Sequence, residues 1–177
     1  GLAGILPAGG VLVTPQAPHP GMPWGYGGGW AWYRYLGEDR AEAASLHASL
    51  AALDTFMESL PETLGFRPGP TLLGGFSQGA TMGLAWALTH PGRVAAVAVL
   101  SGFLMSREVL GTGAEALGTT PLFWGHGTMD TAVPHALAVR GRAAILEAGG
   151  TLEARDYALG HQVAAQEVEE LRGWLAR

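Results

Sequence analysis

Apolar positions recur along this chain with two alternating periods. Short continuous apolar runs bounded by Gly and Pro predict strands at 11–13, 71–76, 94–100, 122–124 and 151–157. Between them the spacing changes. Leu46, Leu50, Leu53, Met57 and Leu60 recur at three- and four-residue steps, which predicts an amphipathic helix from about Glu38 to Leu60. Further helices are predicted over 78–89, stopping at His90-Pro91-Gly92, over 134–148, opening on Pro134 and stopping at Gly149-Gly150, and over 162–176. Residues 94–100 are apolar throughout, as a strand covered on both faces requires. Residues 15–33 are a Pro/Gly-rich loop with five aromatic rings, Trp24, Tyr26, Trp30, Trp32 and Tyr33, and 102–120 are irregular or short helix. Strands alternating with helices predict an α/β fold: a mostly parallel sheet with helices on both faces.

Composition narrows the function classes. The 177 residues are 48% apolar and only 14% charged, which is the composition of a chain that buries a core rather than a disordered one. Cys is absent, so disulfides, a thiolate nucleophile and Cys-based metal sites are excluded. All ten basic residues are Arg. The absence of Lys excludes a Walker-type phosphate loop and Schiff-base chemistry. A net charge of −5 argues against a nucleic-acid surface. Residues 1–33 carry no charge, but Pro7, Pro15, Pro18, Pro20 and Pro23 interrupt them too often for a membrane span. They also lack the basic start of a secretory leader, so the expected location is the cytoplasm.

The sharpest chemical signal is Gly75-Phe76-Ser77-Gln78-Gly79, a G-x-S-x-G pattern between a predicted strand and a predicted helix. In that context the serine projects its hydroxyl above the sheet, beside helix N–H groups, and serves as a nucleophile. Alone, the pattern is equally a Gly-rich turn with Ser77 as a helix cap. A serine nucleophile needs a base. Of six His, His161 stands after the last strand and before the last helix, on the sheet edge that carries Ser77. The base in turn needs an acid. Among four Asp, Asp130 follows the fourth strand in His126-Gly127-Thr128-Met129-Asp130, whereas Asp156 lies inside the fifth. The order Ser77, Asp130, His161 is that of the α/β-hydrolases. Gly111-Thr112-Gly113-Ala114-Glu115-Ala116 fits a dinucleotide pattern but follows no strand, and Gly27-Gly28-Gly29 reads as flexible loop. No His and carboxylates stand at metal-ligand spacing, so no metal is expected.

These stretches, with Leu100-Ser101-Gly102, Val133-Pro134, Gly160-His161 and Ala31-Trp32-Tyr33, resemble the carboxylesterase/phospholipase family, which includes acyl-protein thioesterases and small bacterial esterases. The similarity runs in order through the whole chain. It implies a single α/β-hydrolase domain over 1–177, acting without a cofactor on carboxylic esters of short or medium acyl chains, with thioesters or lysophospholipids as further substrates. It implies Ser77, Asp130 and His161 as the triad and His126 as a structural turn residue. The Gln78 backbone N–H is the expected oxyanion donor. Trp32, Phe103, Met129 and Val133, with Leu104, are expected near a small apolar ester. The only cation close in sequence is Arg34, so a phosphate-bearing head group lacks a partner. A homodimer is compatible with all this. Two features depart from the family. No His-Gly pair precedes Val11 to mark the second oxyanion donor. The resemblance also implies about eight strands, the first three upstream of Val11. The strand at 11–13 and that at 71–76 then either face one another across a slot or close up and pair; otherwise roughly thirty to forty residues precede Gly1. The competing reading is a weak or inactive hydrolase-like binding protein.

Overall fold

The structure is a computed structural model and describes Leu6 and residues 9–177. Two short antiparallel pairs come first: β1 (His19–Pro20) with β2 (Trp30–Ala31), and β3 (Tyr35–Gly37) with β4 (Arg40–Ala41). Helix α1 (Ala43–Leu64) follows. The remainder alternates: β5 (Leu72–Phe76), α2 (Gln78–Thr89), β6 (Ala96–Leu100), α3 (Arg107–Leu110), β7 (Leu122–Gly127), α4 (His135–Glu147), β8 (Leu152–Tyr157) and α5 (Ala165–Leu175). Strands β5 to β8 form one parallel sheet in sequence order.

Residue alternation along the strands divides the core in two. Val97, Val99, Leu122 and Trp124 face one side, where Leu84 and Leu88 of α2 and Ala138 and Ile145 of α4 cover them. Ala98, Leu100 and Phe123 face the other side, under Leu171 of α5. β7 is buried at all six positions, as a central strand with helices on both faces must be. The expected helices on both faces of a parallel sheet are therefore present.

Several expected boundaries are corrected. Val11, Leu12 and Val13 form no strand; they are 53%, 46% and 38% exposed. A strand is stabilised by cross-strand pairing, and three apolar residues have no partner among the described residues. The slot and its closure are overturned with it: β5 pairs with β6 on one edge, and among the described residues its other edge pairs with nothing. By register Leu72 and Phe76 share the face of Ala98 and Leu100 but stay exposed, because the described part of α5 covers β6 and β7 only. The first helix begins at Ala43 rather than Glu38, since Glu38, at φ 54°, turns β3 into β4. It also continues through Pro61 to Leu64, ending where Gly65 adopts a left-handed cap. Strand β7 extends three residues past Trp124, so His126 lies in the strand rather than after it. The last helix starts at Ala165, where the Glu167 side chain accepts the Ala164 N–H at 3.3 Å. Among the described residues no helix is long and apolar enough to cross a membrane.

Glu167 is almost fully buried, and burial pushes its carboxyl up to about 7. The folded state thus holds its proton more tightly than the unfolded chain does. Stability from this group is present at low pH and is lost as pH rises from the ordinary Glu value towards 7. We expect the melting temperature of Glu167→Gln to exceed that of wild type at pH 8 by more than at pH 5. Packing gives a second expectation. A Cβ on Gly141 of α4 would lie 2.6 Å from the Trp124 ring and 3.0 Å from Leu104 Cβ, whereas one on Gly173 of α5 meets nothing within 4 Å. Gly173→Ala should gain the helix preference of about 1 kcal/mol. In Gly141→Ala, overpacking of about 1–3 kcal/mol should outweigh the same gain. Thermal unfolding of the two variants should therefore shift in opposite directions.

Candidate active site

Strand β5 delivers the chain to Ser77 and α2 leaves from it, within one residue. Ser77 adopts φ 56° and ψ −123°, a region that costs a non-Gly residue about 1–3 kcal/mol. Two backbone bonds hold it there: Ser77 N–H donates to Leu100 C=O at 2.9 Å, and Ser77 C=O accepts from Thr81 N–H at 3.1 Å. The turn is so tight that a Cβ on Gly75 would stand 2.6 Å from the Ala80 nitrogen. Only Gly allows α2 to fold back on β5 so closely. Ser77 thus stands directly before the first turn of α2, whose N–H groups carry the positive end of the helix dipole.

The imidazole of His161 reaches this hydroxyl from the loop between β8 and α5. Its Nε2 is 2.9 Å from Ser77 Oγ, and its Nδ1 is 2.7 Å from Asp130 Oδ2. A carboxylate at Nδ1 fixes the tautomer: Nδ1–H donates to Asp130, and Nε2 is left to accept from the serine. The Asp130 side chain is fully buried. Its Oδ1 accepts the N–H groups of Ala132 and Val133 at 3.0 and 2.9 Å, so the buried charge is well supplied with donors. The loops carrying acid and base are laced together. Thr128 N–H donates to Tyr157 C=O at 2.8 Å, and Met129 N–H to Leu159 C=O at 3.0 Å. The ring of Phe76 lies 4.7 Å from that of His161, tilted by 35°.

A cavity of about 500 Å³ opens at Ser77. Trp32, Phe103 and Val133 line it, together with Gln78. Met129 does not: its backbone is engaged in the loop lacing and the residue is 61% exposed. Leu104 packs against the core cluster instead. Arg34 is outside the lining and pairs with Glu42 at 3.7 Å. The lining also includes Tyr35, on the hairpin not foreseen from sequence, and Phe76, whose position directly before Ser77 was the available signal. Gln78 has a second task. Its Oε1 accepts the Trp32 N–H at 3.0 Å and its Nε2 donates to Tyr33 C=O at 3.2 Å. Ser49 of α1 donates to Trp32 C=O. The aromatic wall is thereby fastened to the residue after the nucleophile. Among the described residues no three His, Asp or Glu side chains gather to hold a metal ion.

With this geometry established, known proteins resemble the chain as follows. Residues 10–177 match the model of the phospholipase/carboxylesterase family. Acyl-protein thioesterase 1 of Saccharomyces cerevisiae is 29% identical over 120 residues, covering 64% of this chain and 52% of that protein. Carboxylesterase SOBER1 of Arabidopsis thaliana is 34% identical over 118 residues, covering 64% and 50%. The chain thus spans about half the length of these relatives. Among solved structures, esterase PE8 superposes with a TM-score of 0.73 at 29% identity, covering 93% of this chain and 76% of that one. SOBER1 itself gives 0.73 at 23% identity, covering 93% and 80%. The fold is that of the α/β-hydrolases. For the Gln78 fastening, Gln78→Ala leaves the Trp32 N–H and Tyr33 C=O unpaired, at a cost of about 1–3 kcal/mol. The expected result is a lower melting temperature together with altered tryptophan fluorescence.

Proposed function

The chain belongs to the phospholipase/carboxylesterase family, and from that premise we propose that it hydrolyses carboxylic esters or thioesters of short or medium acyl chains through an acyl-enzyme on Ser77. The observation that carries this reading is the unbroken line from Ser77 Oγ to His161 Nε2 and from His161 Nδ1 to Asp130 Oδ2 at the mouth of an uncharged aromatic cavity.

In the first half-reaction Ser77 Oγ attacks the acyl carbonyl carbon and its proton passes to His161 Nε2. The imidazolium so formed is stabilised by Asp130, whose carboxylate is anchored by two backbone N–H groups. The Gln78 N–H, at the start of α2, donates to the carbonyl oxygen as it becomes negative. Collapse breaks the bond to the leaving alcohol or thiol, which departs with the proton from His161. Water then repeats the sequence: His161 removes its proton, the hydroxide attacks the acyl carbon, and Ser77 recovers its hydrogen as the acid is released. Trp32, Phe103 and Val133 supply an apolar surface for the acyl group. Among the described residues the lining has no cation, which favours uncharged esters over phosphate-bearing ones.

A fluorophosphonate should modify Ser77, as peptide mass mapping would show, and Ser77→Ala should neither react nor hydrolyse p-nitrophenyl esters. Failure of the folded protein to react would support the non-catalytic binding reading instead. Asp130→Asn should lower kcat by about 10⁴-fold, the magnitude for a triad whose base has the wrong tautomer. A loss below tenfold would show that Asp130 does not serve His161. Ranking p-nitrophenyl esters, acyl thioesters and anilides by kcat/KM would fix the preferred leaving group.

A further inference from the structure

Two buried carboxyl groups flank the end of β7, and they are served very differently. Asp130 receives three donors: the N–H groups of Ala132 and Val133 and the Nδ1–H of His161. Glu167, on the first turn of α5, is 1% exposed. Its Oε2 accepts the Ala164 N–H at 3.3 Å, and its Oε1 has no hydrogen-bond partner among the described residues. A buried carboxylate with one donor is far costlier than a neutral acid with one unpaired O–H. The donor sets therefore make Asp130 the anion and Glu167 the neutral acid. In keeping with this, burial pushes the Glu167 carboxyl up to about 7, against the smaller pull of the Ala164 N–H.

The sheet makes room for this acid at one place. Alternation along β7 turns Phe123 and Gly125 towards α5, and Trp124 towards α4. The Glu167 side chain lies flat on Gly125: a Cβ there would collide with Oε1 and stand 2.8 Å from Cδ. Seated so, Glu167 holds the N–H of the residue before α5, three positions after His161. The stretch between is otherwise held lightly. Among the described residues, and apart from the first bond of the helix, the backbone of 162–164 makes one other hydrogen bond, from Gln162 N–H to Gly160 C=O at 2.9 Å. Resting on the triad reading above, we propose that Glu167 is a pH-sensitive latch on His161: as the neutral acid it holds the segment that carries the base, and on losing its proton it leaves Gly125 for water and lets that segment go. The step breaks only the O–H bond, and solvent takes the proton. Its direction follows from linkage: the seated form is the one that binds the proton, so rising pH favours release.

The charged and titratable groups facing Glu167 come from several elements. Glu170 of α5 adds to the effect of burial, and Arg142 of α4 opposes it. The Arg142 guanidinium is itself committed to Asp156 Oδ1 at 2.7 Å and to the Trp124 and Arg155 carbonyls. From β8, Tyr157 donates its O–H to Glu170 at 2.9 Å, and Arg155 pairs with Glu170 at 3.4 Å. On this face β6 and β7 present Ala98, Leu100, Phe123 and Gly125, none of which titrates. His126 of β7 projects to the α4 face, against His135.

The test follows kcat/KM for a p-nitrophenyl ester from about pH 6 to 9, beside the ¹³C signals of labelled glutamate carboxyls. One carboxyl signal, absent from Glu167→Gln, should titrate at about 7 while the others titrate lower. Wild-type kcat/KM should fall about three- to tenfold between about pH 7 and 9, and the Ala164 amide resonance should shift over the same range. Glu167→Gln keeps an acceptor for the Ala164 N–H and has no proton to lose. It should match wild type at the acid end and hold its plateau to the alkaline end. Gly125→Ala, whose Cβ takes the carboxyl's place, should show at the acid end the lowered kcat/KM that wild type reaches only at the alkaline end. An equal alkaline fall in wild type and Glu167→Gln, or a Gly125→Ala variant of wild-type efficiency, overturns the proposal. So does a Glu167 carboxyl that titrates with the others. Absence of hydrolysis at every pH would sink the triad reading; the carboxyl titration and the Ala164 amide would still uphold or overturn the latch.

Discussion

One backbone conformation organises the rest: a serine held in a strained region between β5 and α2. Strain of this kind persists only where its surroundings over-determine it. Here a parallel strand supplies one restraint through Leu100 C=O and the first turn of α2 supplies another through Thr81 N–H. The absence of a side chain at Gly75 removes the obstacle. The site is consequently a product of the sheet. Disturbing the pairing of β5 with β6 would release the serine without touching any residue of the proposed chemistry.

Asp130 and His161 are positioned by a different device. Both stand just past the C-terminal ends of neighbouring strands, β7 and β8, and backbone hydrogen bonds between the two loops fix their spacing. Asp130 is fully buried, a costly place for a charge unless donors surround it. The N–H groups of Ala132, Val133 and His161 meet that requirement. The same burial that makes the carboxylate expensive shields its interaction with the imidazole from water.

What was legible in the sequence follows the locality of its causes. Ser77, Asp130 and His161 were legible because each follows a run whose strand character is local, and parallel topology then delivers all strand ends to one edge. The helix over 78–89 matched to the residue, since its start is a tight turn and its stop is His90-Pro91-Gly92. The run at 11–13 failed because a strand needs a neighbour, and hydrophobicity alone does not supply one. The hairpin at 35–41 was hidden by the helical periodicity that follows it. Met129 was misplaced because proximity in sequence to Asp130 says nothing about which way a turn directs a side chain. The Gln78 fastening was out of reach for a related reason: Trp32 lies 46 positions away, and only the fold brings them together.

The lacing of the 127–130 and 157–161 loops joins Asp130 to His161 through backbone bonds that do not depend on their side chains. Ser77 and the aromatic wall are joined in turn through Gln78. The two groupings meet in the Oγ–Nε2 hydrogen bond and in the contact between the Phe76 and His161 rings. Ser77 follows β5 and His161 follows β8, the two outer strands of the four-stranded sheet. The span between hydroxyl and imidazole is therefore set by the spacing and twist of every strand in between, so the whole width of the sheet acts as the ruler for one hydrogen bond.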